Sequence, residues 1–498
     1  MNKDIIIPIS PRKRHTSALR KFFVIDKLNS PLGYLLLFSL FVVVGIGIAD
    51  VGDIFGILVL VIFIAVPLIY SVVAYPKLGI LVFLTMAYLI MFISRMGIVH
   101  IPLGTLMDAM EGLFILSVFI NQKKKKDWAM FKGPVSIMIL VWIGFNLLEV
   151  VNPAADSKEA WLYTIRSVAL VMLTYFVFVY YIDSKKFIRL IFKLWIVLAL
   201  FGAFYAVKQE RIGFFSFEEA YLHSNPVVEQ LLFIGGVWRK FSIFSDPVAF
   251  AYNMITAIML CVGLMTGPTS RLKKIILGFF ILFFIYAMLS SGTRGAYVLL
   301  PVTLLMLAIL KYSRKVLLLV CVSAVFIVGL IFVPTSNPTL YRFQTAFKPS
   351  NDASFNVRAI NQKRIQPFVL SHPLGGGLGA TGVWGAKFSP GSFLSSFPPD
   401  SGYVRVEVEN GWLGLLIFCI FMFTALATGI NGYFKIRDPE LKSYCVACIL
   451  IAFALNFGNY PQEALVQFPS NIYFYLALAI MTVSVRMDKQ LNETGYAG

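Results

Sequence analysis

Charge is scarce in this chain. Of its 498 residues, 14% are Asp, Glu, Lys or Arg, against 58% hydrophobic, which excludes an ordinary soluble globular protein. Cysteine is nearly absent too. The five cysteines, Cys261, Cys321, Cys419, Cys445 and Cys448, all fall inside apolar stretches, which leaves no disulfide framework or zinc site to expect. Cys445 and Cys448 form a CxxC, read on a membrane helix as two small packing residues. The histidines His15, His100, His223 and His372 have no metal-ligand spacing, and no DxD pair offers a seat for a divalent ion on a nucleotide sugar. No GxxxxGK[ST] phosphate loop is present, so ATP is not an expected energy source. The first thirty residues are polar and basic, so no cleavable signal peptide is expected. No linker separates two soluble domains, and no repeat of fixed period stands out.

What the chain does have is a series of apolar runs of about 20 residues, the length a helix needs to cross the hydrocarbon core of a bilayer. They begin near Leu32, Ile54, Leu78, Ile101, Val135, Thr164, Leu190, Val248, Ile275, Ala296, Val316, Gly411, Ser443 and Asn471. The expected fold is all-α and polytopic, with about fourteen membrane helices. Residues 1–31 form an N-terminal tail, 32–333 the first eleven helices, 334–410 a large loop, 411–485 the last three helices, and 486–498 a C-terminal tail.

The distribution of basic residues orients this arrangement. The two tails, Lys77, Gln122–Lys132, Asp183–Lys193, Arg271–Lys274, Lys311–Lys315 and Phe434–Lys442 together hold 28 of the 43 Lys and Arg. These segments are expected in the cytoplasm, with both termini, and the large loop outside. The net charge of +18 is then mostly anchoring charge that faces anionic lipids, and nucleic acid is not an expected partner.

The polar segment Pro334–Asn410, 77 residues long, is where chemistry is to be sought, because loops of that length are uncommon unless they act. Phe355–His372 has helical spacing and is expected to kink or break near Pro367. The Gly375–Gly376–Gly377 run that follows is expected to turn. His372, before Pro373, is read as structural. Four basic residues sit in suggestive settings. Arg294 stands in SSGTRGA between glycines that let backbone approach a ligand. Arg239 precedes Asp246 and Pro247, Arg358 lies on the expected loop helix, and Arg166 lies near the outer end of its span. Such arginines bind phosphate oxygens bidentately or snorkel to the interface as anchors. Opposite them stand Asp400, Glu407 and Glu409 with Arg405 between, placed either to accept a proton or to order the loop end through a salt bridge. Asp108 and Glu111, one helical turn apart, are expected to line a polar interior or pair with another helix.

Several of these elements occur together in one family pattern. The chain has SG-x-RG-A (Ser291–Ala296) and an arginine followed by D-P before a helix (Arg239–Pro247). It has an S-x-x-x-R helix (Ser354–Arg358), a P-L-G-x-G-x-G run (His372–Gly379) and an E-x-G-x-x-G element (Glu409–Gly414). In this it resembles the O-antigen ligase and O-antigen polymerase superfamily of bacterial polytopic membrane proteins, from about Arg239 to Leu416. The resemblance implies a glycan transferase in the bacterial inner membrane, working at the periplasmic face without metal or other cofactor. Its donor is an oligosaccharide on polyprenyl (undecaprenyl) diphosphate, its acceptor a second glycan.

On this reading Arg294, with Arg239, Arg358, Arg166 or Arg405, clamps the diphosphate. Asp400 or Glu409 takes the acceptor's proton, with His372, Tyr403 and Glu407 as further candidates. Ligases of the superfamily carry a histidine just before the E-x-G-x-x-G element, where this chain has Asp400–Ser401–Gly402–Tyr403–Val404. Polymerization of repeat units is therefore the expected activity. Ligation to lipid or protein, transport of a lipid-linked glycan, and a chain-length regulator as partner all stay open.

Overall fold

Serine or aspartate opens eight of the helices, and in three of them proline follows. Ser30, Ser157, Ser184, Ser270, Ser313 and Ser401 each accept a backbone amide of the first turn with their side chain, as do Asp246 and Asp438. These caps satisfy amides that a helix end leaves without an internal partner. The computed structural model describes residues 30–52, 55–56, 59, 74–97, 103–125, 128–234, 236–336, 338–347 and 353–495. The chain forms two units, Met1–Ser71 and Val72–Gly498.

In the first unit, α1 (Pro31–Val51) is an apolar helix capped by Ser30 and Gly52. The span expected from Ile54 lies largely outside the described residues. In the second unit, the long helices are α2 (Pro76–Arg95), α3 (Leu103–Lys125), α4 (Pro134–Leu148), α5 (Lys158–Tyr181) and α6 (Lys185–Arg211). After α6 come two short helices, α7 (Ser216–Leu222) and α8 (Pro226–Leu232), and a small hairpin, β1 (Phe233–Ile234) with β2 (Val237–Trp238). The long helices resume as α9 (Pro247–Met265), α10 (Arg271–Leu289), α11 (Arg294–Leu310) and α12 (Arg314–Phe332). The large loop holds α13 (Pro338–Thr345), α14 (Ala353–Ser371) and α15 (Gly382–Phe388). It leads into α16 (Gly402–Lys435), α17 (Pro439–Gly458) and α18 (Ser470–Gly495).

Twelve described helices are long and apolar enough to span a bilayer, and α11 is a shorter apolar helix. The protein is an all-α polytopic membrane protein. Its centre is α9, α17 and α18, whose apolar windows are 78%, 78% and 83% buried. At Gly263 a Cβ would come 2.3 Å from Ala447 Cα, so α9 and α17 touch backbone to backbone, a contact that small residues permit in membranes. At the margin, α12 buries only Val320 among its described residues. A helix apolar all round and so little covered by protein has its outer face in lipid.

The two ends of the bundle differ. One is joined by short turns and ion pairs: Lys77–Asp183 at 2.6 Å, Lys185–Asp438 at 2.5 Å and Arg189–Glu440 at 2.5 Å. The other carries the three longest connections among the described residues of the second unit: 212–246, 333–401 and 459–469. There α14 runs as one helix through Pro367 instead of breaking; the proline removes one amide from the ladder, and the helix ends four residues later, at Ser371. The last helix of this connection starts at Gly402 and leaves helical geometry at Gly411 (φ 67°, ψ −176°). The boundary read from the sequence at Asn410 is therefore a break inside α16.

Candidate active site

Two turns at the loop end interlock around arginine. The turn between α10 and α11 is tied by Thr293 N, which donates to Ser291 Oγ (3.1 Å), and by Thr293 Oγ1, which donates to Pro247 O (3.0 Å). Arg239 completes the joint. Its Nε donates to Ser291 O (2.9 Å), Nη2 to Thr293 Oγ1 (3.0 Å) and Nη1 to Leu231 O (3.3 Å). The segment after Arg239 is held by Arg95, whose guanidinium donates to the carbonyls of Ser242, Phe244 and Ser245 and lies over the rings of Tyr221 and Phe241. Asp246 then caps α9, accepting Val248 N and Ala249 N at 2.8 and 3.0 Å.

These turns bring four guanidinium groups to one cavity of about 110 Å³, lined by Arg239, Arg294, Arg342 and Arg358 with Thr293 and Gln462. Arg342 comes from α13 and rests on Gly292, where a Cβ would stand 2.3 Å from its Nη1. Gly292 also has φ +61°, so glycine is required there twice over, by conformation and by contact. Burial pushes the Arg239 guanidinium down to about 10, and the charges of Arg342 and Arg294 push the same way against Asp246. Burial and Arg294 likewise lower Arg342. Both stay cationic at neutral pH. Like charges held this close indicate a place built for an anion.

A second cavity, of about 400 Å³, shares Arg239, Val248 and Gln462 with the first. Its wall includes Asp246, Pro398, Pro399, Asp400, Glu463 and Gln467. Asp400 takes the left-handed conformation (φ +48°), which an aspartate tolerates better than most residues. Its side chain opens to the cavity, yet the surrounding protein raises its carboxyl pKa by desolvation, while the charge of Arg358 opposes that rise. The structure thus brings together Arg294, Arg239, Arg358 and Asp400 from four separate segments.

The remaining sequence candidates lie elsewhere. Glu409 does not line either cavity. It is buried, accepts Thr381 N (3.3 Å) and Thr381 Oγ1, and pairs with Arg405 Nε at 3.2 Å. The salt bridge expected to order the loop end thus forms between Arg405 and Glu409, and Arg405 Nη1 also reaches Glu463 Oε2 at 3.2 Å. Glu407 is half-buried on α16, and Tyr403 OH donates to Asn456 Oδ1. His372 stacks on Phe368, ring centroids 4.1 Å apart, with Nδ1 2.9 Å from Phe368 O. Arg166 pairs with Asp108 on α3 at 3.2 Å. Glu111 is fully buried, and neither of its oxygens has a hydrogen-bond partner among the described residues.

The two glycine motifs of the large loop meet each other. Gly376 N and Gly377 N donate to Val408 O and Glu409 O, both at 2.9 Å, carbonyls that the break at Gly411 frees from the helix ladder. A Cβ on Gly411 would lie 2.0 Å from Pro373 O, and one on Gly375 2.5 Å from Gly411 N. The P-L-G-G-G turn and the E-N-G break are one joint, and that joint sets the direction in which α16 leaves the loop.

Arg342, Gln462, Glu463 and Arg95 carry no local pattern that marks them; Arg342 is one of seven basic residues in the large loop. Residues 278–419 match the family model described as O-Antigen ligase. The match supports the O-antigen ligase superfamily resemblance and covers Arg294, Arg342, Arg358, Asp400 and Glu409, while Arg239 lies before it. No curated protein matches the chain.

Proposed function

We propose that this protein is a glycan polymerase that transfers oligosaccharide repeat units from a polyprenyl-diphosphate donor to a sugar hydroxyl at the periplasmic face. The observation that carries this reading is the four-arginine cavity opening onto a carboxylate, Asp400, in the adjoining cavity. Orientation follows the basic residues of the short connections, which put both termini in the cytoplasm and the arginine end outside.

In this reading Arg239, Arg294, Arg342 and Arg358 hold the diphosphate, each guanidinium offering paired N–H donors to phosphate oxygens. The acceptor hydroxyl oxygen attacks the anomeric carbon of the donor, the bond from that carbon to the phosphate oxygen breaks, and Asp400 takes the hydroxyl proton. Charge balances at both stages. Four arginines face Asp246, Asp400 and the two charges of a diphosphate diester. After transfer Asp400 is neutral and the released polyprenyl diphosphate carries the extra charge. The arginines stabilize the leaving group where negative charge develops, and the donor's own glycosyl–phosphate bond supplies the energy without metal or nucleotide.

Reconstitution in liposomes with a polyprenyl-diphosphate-linked repeat unit, followed by product sizing, tests the reading. A ladder of lengths supports polymerization. The description of the matching family favours a second reading, a ligase that makes one transfer to a lipid or protein acceptor, and a single product would select it. Movement of the donor across the bilayer without a new bond would make the protein a transporter. Arg294→Ala removes transfer while leaving membrane insertion intact; normal product from that variant sinks the scheme.

A further inference from the structure

Glu463 stands in the connection between α17 and α18, on the wall of the cavity that also carries Asp400. One carboxyl oxygen is fixed: Oε2 receives Arg405 Nη1 at 3.2 Å, while Arg405 Nε is engaged by Glu409. The other, Oε1, is closed to bulk solvent and has no hydrogen-bond partner among the described residues. A buried polar atom in that state is costly, and the cavity that Glu463 lines is where a further partner for this carboxyl can be supplied. Beside it Pro398, Pro399 and Ala464 offer an apolar surface of the kind a sugar ring lies against.

Two carboxyls share this wall in unlike surroundings. Arg358 counters the burial of Asp400 and favours its ionized form. Burial raises Glu463, Arg405 opposes the rise, and the charges of Glu409 and then Asp400 add to it. The charge of ionized Asp400 thus favours the protonated form of Glu463. Carboxyls pushed apart in this way divide the work of base and hydrogen-bond donor.

We propose that Glu463 binds the acceptor glycan, its carboxyl group hydrogen-bonding a hydroxyl of the acceptor sugar beside the one that Asp400 deprotonates. This rests on the reading of the cavity as a glycan-transfer site. The protonated carboxyl donates to the acceptor oxygen and returns nothing to the reaction, so no bond other than the hydrogen bond forms at Glu463. The charged groups around it are Arg405 and Glu409 on α16 and Asp400 on the turn before it, with Arg239 and Asp246 lining the same cavity.

The test uses the full-length protein in liposomes, a polyprenyl-diphosphate-linked repeat unit as donor and a soluble oligosaccharide of the same repeat as acceptor. Glu463→Ala is expected to raise the acceptor KM roughly tenfold, the loss of about one hydrogen bond, with the donor KM unchanged. Glu463→Gln keeps a neutral donor and a carbonyl for Arg405, so its acceptor KM returns to within a few-fold of wild type. The wild-type acceptor KM rises as pH climbs through the ionization of Glu463, and in Glu463→Gln that rise is gone. An unchanged acceptor KM in Glu463→Ala, or a pH response that survives in Glu463→Gln, overturns the assignment. If Glu463→Ala does not fold, the pH comparison of wild type with Glu463→Gln decides alone. No transfer by the wild-type protein overturns the glycan-transfer reading itself, a result distinct from any of these.

Discussion

Two groups of arginine lie at the same end of this protein and do opposite things with their charge. Arg405 is held between Glu409 and Glu463, each at 3.2 Å, so its charge is spent inside the protein, joining the broken helix to the α17–α18 connection. Around the smaller cavity, Arg239, Arg294, Arg342 and Arg358 outnumber Asp246 and Asp400, the carboxylates near them, and the charges of Arg342 and Arg294 lower the proton affinity of Arg239. An arginine with its carboxylate supplied holds structure; in the proposed reading, the arginines around the cavity hold a ligand. The contrast also separates two acids nine positions apart in sequence, Asp400 in a cavity and Glu409 in the joint.

The contrast breaks most sharply at Asp400. Asp400→Asn is expected to slow transfer by about 10²–10⁴-fold with donor binding retained, whereas a variant as active as wild type would move the base elsewhere. Because the base works ionized and its pKa is raised, the rate should fall as pH drops through that ionization, and in Asp400→Asn this acid limb should vanish. Arg405→Ala leaves the buried carboxylate of Glu409 unbalanced and the Glu463 carboxyl without its partner, so it should cost about 3–5 kcal/mol of stability, read as a fall in thermal unfolding temperature in detergent. Unaltered unfolding with lost donor binding would place Arg405 with the ligand arginines instead.

Arg342→Ala should reduce transfer by about 10²–10³-fold, the size of effect that follows loss of one transition-state donor, with folding unaffected; full activity would remove α13 from the site. The smallest effect is expected at Gly292→Ala. Strain at positive φ costs about 1–3 kcal/mol, and the new methyl displaces Arg342, so donor KM should rise while acceptor KM holds. A rise in acceptor KM instead would mean that the arginine cavity does not hold the donor.

Much of the molecule was legible in residue order, and the boundary of that legibility is physical. Arg294 was visible because the glycines beside it mark a turn open to a ligand, and Asp246 because an aspartate before a proline caps a helix. Arg342 was not, because it sits on a short amphipathic helix like many surface arginines, and only the seat on Gly292 brings it in. Sequence leaves Glu409 as the fallback base behind Asp400, since it shows a carboxylate but not its partner. Arg166 resembled the other boundary arginines until α5 packed beside α3 and gave it Asp108.

Residue order by itself determined that this chain is a bundle of membrane helices. A run of apolar residues long enough to cross a bilayer needs no distant partner to declare itself, because the lipid is its solvent and the helix satisfies its own backbone. Tertiary structure alone decided which charges are spent and which remain. Charge compensation depends on distances of a few ångströms between residues far apart in the chain, as between Arg239 and Thr293, Arg342 and Gly292, or Arg405 and Glu463.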